Sequence, residues 1–227
     1  MSIWFVVVTF HPEKKALGAL RKVLDGWPTV VINNSSKNIG FGGGANVGMR
    51  YAMERGADWV VILNQDIAMT KEAVKELCER LKGLPAGIAG PFAGTLDPKR
   101  WTTIMPANGS RVKPGMTKNV EYISGACMAI HRKVIERVGY FYEPYFMYYE
   151  DADLSVRARR HGFPLVHLSV KGITHIEHPV WEKGSRRHEW FLSRNHLLFV
   201  LRLAPWQVKL HEIVRLPKTI AEYLQKL

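Results

Sequence analysis

Apolar positions change period along this chain, and each change marks out an element. Ile3–Thr9 is a run of β-branched and aromatic residues, and Glu13–Leu24 carries Leu17, Leu20 and Leu24 at helical spacing. Thr29–Ile32 reads as a second strand. Trp59–Leu63 reads as a third, and its unbroken apolar run suits a strand buried on both faces. Between them, Gly48–Arg55 reads as a helix opened by a Gly-rich loop. Thr70 is a fitting N-cap for Lys71–Lys82, where Ala73, Val74, Leu77 and Leu81 share one face. Gly87–Pro91 is a short fourth strand. Strands alternating with helices predict an α/β fold with a parallel, doubly wound sheet.

The second half is less regular. Arg100–Tyr122 is rich in Thr, Pro, Gly and Asn, which suits short antiparallel strands or a flap. Arg132–Val138 and Ala152–His161 read as helices, and Phe163–Leu168 and Val170–Thr174 as short strands. From Gly184 the pattern is helical, with interruptions expected at Ala204-Pro205 and Leu216-Pro217. The chain therefore divides into a main domain, 1–183, and a helical C-terminal region, 184–227.

Composition narrows the class. With 47% hydrophobic and 23% charged residues over 227 positions, the chain can bury a full core, which excludes disorder and any need for a disulfide or metal staple. Cys78 and Cys127 stand far apart with no Cys/His cluster, as suits a reducing compartment. The first apolar run lacks a preceding basic segment and ends in His11-Pro12, so it reads as a strand and not as a signal peptide. No run reaches the roughly 18 apolar residues that span a bilayer. A cytoplasmic protein, soluble or peripheral on the inner face of the membrane, is expected.

Four segments could carry chemistry. Asn38-Ile39-Gly40-Phe41-Gly42-Gly43-Gly44-Ala45-Asn46 lies between a strand and a helix, where glycines allow a ligand close to the backbone. It departs from both the Walker and the GxGxxG spacings, so a phosphate loop and a tight structural turn both stay open. Leu63-Asn64-Gln65-Asp66 ends the third strand, where open α/β sheets bind ligands. Asp66 could hold Mg²⁺ or Mn²⁺, or merely cap a turn. Tyr148-Tyr149-Glu150-Asp151-Ala152-Asp153 sets three carboxylates at a helix start behind an aromatic wall. Asp151 and Asp153 cannot face the same way on one helix, so one faces a site and the other caps or pairs with Arg157. His175 and His178 follow a strand, as ligands or as ordinary surface residues, and Arg194-Asn195 could meet phosphates or water.

In their order and spacing these segments, together with Val6–Phe10, Val31–Ser36 and Gly125-Ala126-Cys127, resemble the inverting, nucleotide-sugar-dependent glycosyltransferases of family 2, which have the GT-A fold. The Gly-rich loop and the Phe-Met-Tyr-Tyr-Glu-Asp run are most similar to the rhamnosyltransferase-like branch. The likeness implies a Rossmann-like, mostly parallel central sheet flanked by helices. It gives Thr9, Asn33 and Asn34 to the nucleotide base, with Asn33 where many relatives carry Asp. Asn38, Gly43 and Asn46 would shape the donor pocket, joined by Asn64 and Gln65. Asp66 matches the last acid of the family's metal-binding DxD motif, with Asn64 in place of the first, so the metal leans more on diphosphate oxygens. His175 falls where some relatives place an added metal ligand. Asp151 matches the catalytic base, with Glu150, Asp153 and Arg194 as support. The implied partners are a dTDP- or UDP-linked sugar, with rhamnose favoured, and a glycan or lipid-linked acceptor.

Charge adds a last feature. Lys and Arg number 32 against 20 Asp and Glu, a net charge of +12, and basic residues alternate with Trp and Leu after Lys183. That mixture suits an anionic membrane surface, packing on the main domain, or a homodimer. A basic nucleic-acid binder and a catalytically degenerate scaffold are the competing classes. The former lacks any helix-turn-helix, zinc-finger or RNP signature, and no nucleic-acid partner is expected.

Overall fold

A computed structural model describes residues 1–105, 120–176 and 184–225. Its centre is a six-stranded sheet built from β1 (Ile3–Thr9), β2 (Thr29–Asn33), β3 (Trp59–Asn64), β5 (Ile88–Gly90), β9 (Cys127–His131) and β10 (Leu165–His167), in the order β10-β5-β9-β3-β1-β2. Alternation along β1 explains the layering: Ile3, Phe5 and Val7 enter one core, while Val6 and Val8 enter the other. The first core is closed by α1 (Lys14–Val23) and α3 (Lys71–Lys82), the second by α2 (Gly40–Glu54), α4 (Arg132–Val138) and α5 (Glu150–Arg160). Thr70 caps α3 as expected, accepting the Ala73 amide at 3.1 Å.

The sheet is mostly parallel, as the likeness implies, with one antiparallel strand. β9, for which the apolar pattern makes no prediction, lies antiparallel between β3 and β5. Its five residues are too few to carry a distinctive period. Outside the main sheet, β4 (Ile67–Met69) pairs antiparallel with β11 (Ile173–His175), and β6 (Ala93–Leu96) joins β7 (Thr103–Ile104) and β8 (Tyr122–Ile123). These short strands match the antiparallel expectation for part of 100–122; positions 106–119 and His178 lie outside the described residues.

The Gly-rich segment is not a loop. α2 begins at Gly40, and its glycines bring the helix onto β1: a Cβ at Gly48 would stand 2.1 Å from Val6 Cγ1, and one at Gly44 2.9 Å from Val8 Cγ1. The C-terminal region forms α6 (Arg186–Leu203) and α7 (Trp206–Gln225). The break at Ala204-Pro205 is where the sequence puts it, but α7 runs through Pro217. The carbonyl deprived of its partner there belongs to Ile213, an exposed residue.

Because both Val6 methyls are packed in the sheet core, Gly48→Ala is expected to cost about 1–3 kcal/mol of stability. Chemical denaturation checks this; an unchanged midpoint would mean that α2 can retreat from β1.

Candidate functional site

The parallel strands end on a cavity of about 390 Å³. Thr9 at the tip of β1, Asn64 at the tip of β3 and Asp66 just beyond it form one wall. The aromatic segment 147–149 and the first turn of α5 form the facing wall, with Glu150 and Asp151. His188 and Leu192 of α6 close a further side. Asp66 and Asp151 thus meet one cavity from distant parts of the chain.

The β4–β11 ladder sets His175 opposite Ile67, which brings its Nε2 within 3.1 Å of Asp66 Oδ1 across 109 positions. The Gln65 side chain clamps Phe10, accepting its amide at 2.7 Å and donating to its carbonyl at 3.1 Å. Thr9, Asn34 and Asn38 line the cavity. Thr9 donates to the Ile32 carbonyl at 3.2 Å, Asn34 to the Gly40 carbonyl at 2.9 Å, and Asn38 Oδ1 accepts the Gly40 amide at 3.0 Å. Their polar groups therefore hold the β2–α2 connection as well as facing the cavity.

Three expected donor-pocket residues stand elsewhere. Asn33 is exposed and its Oδ1 accepts the Ser35 amide in a local turn. Gly43 packs against Ile39. Asn46 is buried, bracing the chain by exchanging two hydrogen bonds with the Phe141 backbone and donating to Glu143. Sequence spacing alone could not separate these from Asn38, because α2 starts earlier than the Gly-rich stretch suggests.

The three acids of α5 have three fates, as helical spacing requires. Asp153 turns from the cavity and is fully buried, held by Arg157 Nε at 2.5 Å, Tyr145 Oη at 3.1 Å and Arg202 Nε at 3.2 Å. Asp151 faces the cavity with both oxygens oriented, Oδ2 by the Gly125 amide at 2.9 Å and Oδ1 by the Ala152 amide at 2.8 Å. Burial raises its pKa above the ordinary value of 3.8, partly offset by those amides. Glu150 is buried with Oε2 unpartnered, and desolvation, reinforced by Asp151 and Asp153, pushes it well above 4.5.

Arg194 does not line the cavity; it donates to the Pro144 carbonyl at 2.9 Å and to Asn195 Oδ1 at 2.7 Å. Asn195, fully buried, donates in turn to the carbonyls of Tyr145, Met147 and Tyr148 at 2.8, 2.6 and 3.1 Å. The segment so held is strained: Phe146, Tyr148 and Tyr149 have φ of 65°, 70° and 72°. Residue pattern assigns Asn195 no such role, since it stands among the polar neighbours Ser193, Arg194 and His196.

Carboxylates at Asp66 and Asp151 in one cavity would repel an anionic ligand unless a cation intervened. Among the described residues no group of three or more His, Cys, Asp or Glu could enclose a metal ion. The Asp66–His175 pair offers one carboxylate and one imidazole, a partial set that suits a divalent ion completed by ligand oxygens and water.

Known proteins share both the sequence pattern and the fold. The family described as "Glycosyltransferase like family 2" matches residues 3–195. The chain is 31% identical over 161 residues to the "Low-salt glycan biosynthesis hexosyltransferase Agl10" of Haloferax volcanii, covering 63% of this chain and 50% of that protein. It is 29% identical over 197 residues to the "dTDP-rhamnosyl transferase RfbF" of Shigella flexneri, covering 74% and 66%. The chain thus spans half to two thirds of the length of these relatives. The mannosyltransferase PcManGT of Pyrobaculum calidifontis, solved with GDP-Man and Mn²⁺, shares the fold at a TM-score of 0.59, with 14% identity, over 99% of this chain and 73% of that one.

Glu150 binds its proton more tightly folded than unfolded, so its contribution to stability is full below 4.5 and is lost as pH rises toward the folded pKa. Glu150→Gln is therefore expected to raise Tm over the parent at neutral pH, with the gain vanishing below 4.5. A gain independent of pH would contradict the assignment. Asn195→Ala should lower kcat by about 10²-fold, the scale of an ångström misplacement at a site, with donor KM little changed and the cooperative melt retained. A drop confined to KM would count against Asn195 as a positioning residue.

Proposed function

The chain belongs to glycosyltransferase-like family 2, and from that premise we propose that it transfers a hexosyl group with inversion from a nucleoside-diphosphate sugar to an acceptor hydroxyl. Rhamnose carried on dTDP is the donor this reading favours, with a UDP-linked sugar second, and a glycan or lipid-linked alcohol is the acceptor. The enzyme class rests on the family match. The dTDP-rhamnose choice is supported by the name of the Shigella relative. The single observation that carries the mechanism is the shared cavity of Asp66 and Asp151.

In this reading the nucleotide lies across the strand tips beside Thr9, Phe10 and Asn34. Gln65 fixes the Phe10 backbone, and therefore the edge of that subsite. Asp66 and His175 would hold Mg²⁺ or Mn²⁺; when bound, the ion supplies charge neutralisation to the diphosphate. Asp151 accepts the acceptor's hydroxyl proton. That oxygen forms its bond to the anomeric carbon as the carbon–oxygen bond to the diphosphate breaks, and the nucleoside diphosphate leaves with the electron pair. One displacement inverts the anomeric centre. The amides of Gly125 and Ala152 keep the Asp151 carboxylate aimed throughout. Its pKa, raised by burial, makes its carboxylate a stronger base than a solvated one. Glu150 lines the same cavity, its carboxyl pushed well above 4.5 by burial, with Asp151 and Asp153 adding to the shift.

Turnover of dTDP- and UDP-sugars with Mg²⁺ or Mn²⁺, read by release of nucleoside diphosphate, tests the proposal. Asp151→Asn is expected to lose about 10²–10⁴-fold in kcat while donor binding persists. In the parent enzyme the acid limb of activity should lie above 3.8, the ordinary value for this carboxyl. Near-normal turnover in Asp151→Asn would remove it from the role of base.

A further inference from the structure

α7 carries two faces. Val208 and Glu212 are buried: Val208 packs with Val200 and Ala204, and Glu212 lies 3.1 Å from Arg100. These contacts fix which side of the helix meets the domain. The opposite side is apolar as well: Trp206, Leu210, Ile213 and Val214 are 69, 54, 51 and 72% exposed, and Pro217 and Ile220 continue the line. At about 100° per residue these six positions fall within an arc of about 120°, centred nearly opposite Val208 and Glu212. Lys209 borders the arc on one side, His211 and Lys218 on the other. Between Trp206 and Ile220 the one acid, Glu212, is the residue turned inward.

We propose that this face of α7 lies in the surface of an anionic lipid bilayer. An apolar stripe edged by cations and led by a tryptophan is the pattern of a helix lying in the headgroup plane, with the stripe in the acyl boundary and the cations among lipid phosphates. No helix among the described residues is long and apolar enough to cross a membrane, so the helix lies on it. The net charge of +12 draws the whole protein to such a surface. A second copy of the chain is a poorer occupant, because facing α7 helices would bring Lys209 and Lys218 of two strongly basic chains together. The inference is independent of the chemistry proposed for Asp151.

Sedimentation of the full chain with vesicles of equal parts phosphatidylglycerol and phosphatidylcholine is the test. Strong binding is expected, with little to pure phosphatidylcholine, and it should weaken as salt rises. Leu210→Glu with Val214→Glu should reduce partitioning by roughly tenfold or more, and Lys209→Gln with Lys218→Gln by about fivefold per charge removed. Both pairs are surface positions; circular dichroism and donor binding confirm that the variants fold. Equal partitioning of the Leu210→Glu/Val214→Glu protein, or equal binding to neutral vesicles, would overturn the proposal. So would a soluble dimer that the same substitutions dissociate, since the stripe would then be a self-interface. If a variant fails to fold, the salt series on the unaltered protein still decides, because binding that ignores salt overturns the proposal as well.

Discussion

The segment from Phe146 to Tyr149 turns back on itself with three non-glycine residues at positive φ. Each such residue costs on the order of 1–3 kcal/mol, so the turn persists only because neighbours over-determine it. Asn195 holds three carbonyls in and beside it from α6, and Arg194 orients the Asn195 amide. On the other side the Phe41 amide donates to the Phe146 carbonyl at 2.8 Å. Gly40 is indispensable there, since a Cβ would stand 2.3 Å from that same oxygen. Held between α2 and α6, the turn delivers Glu150 and Asp151 into the cavity at the start of α5. A relaxed turn would move both acids and the aromatic wall with them.

Electrostatics completes what the turn begins. Three acids at one helix N-terminus satisfy the dipole in the same way, but they do not share an environment. Asp153 is paired with two arginines, burial pushes the pKa of Glu150 well up, and two backbone amides offset part of the same effect at Asp151. Their division leaves one acid, Asp151, turned to the cavity with both oxygens oriented. On another side of the same cavity stands the Asp66–His175 pair, one carboxylate and one imidazole.

The basic character of the chain has its own geography. Arginines around Asp153 and Glu212 are committed to buried carboxylates and hold α6 and α7 to the domain. α6 thereby belongs to the site, through His188, Leu192 and Asn195. α7 instead offers its outer face to whatever lies beyond the protein.

Residue order by itself decided the strands and helices whose burial is one-sided or complete. β1, β3 and α3 stand close to where periodicity places them, since core burial imposes the period directly. It also separated Asp151 from Asp153, because helical pitch is a local property. Antiparallel β9, the earlier start of α2, and the passage of α7 through Pro217 depended on packing partners remote in sequence. Asn33, Gly43 and Asn46 read as equals of Asn38 for the same reason: only the fold shows which of them reaches the cavity. The pairing of His175 with Asp66 and the grip of Asn195 on the strained turn span 109 and about 50 positions. Neither leaves a local pattern, so the tertiary structure alone brings those atoms together.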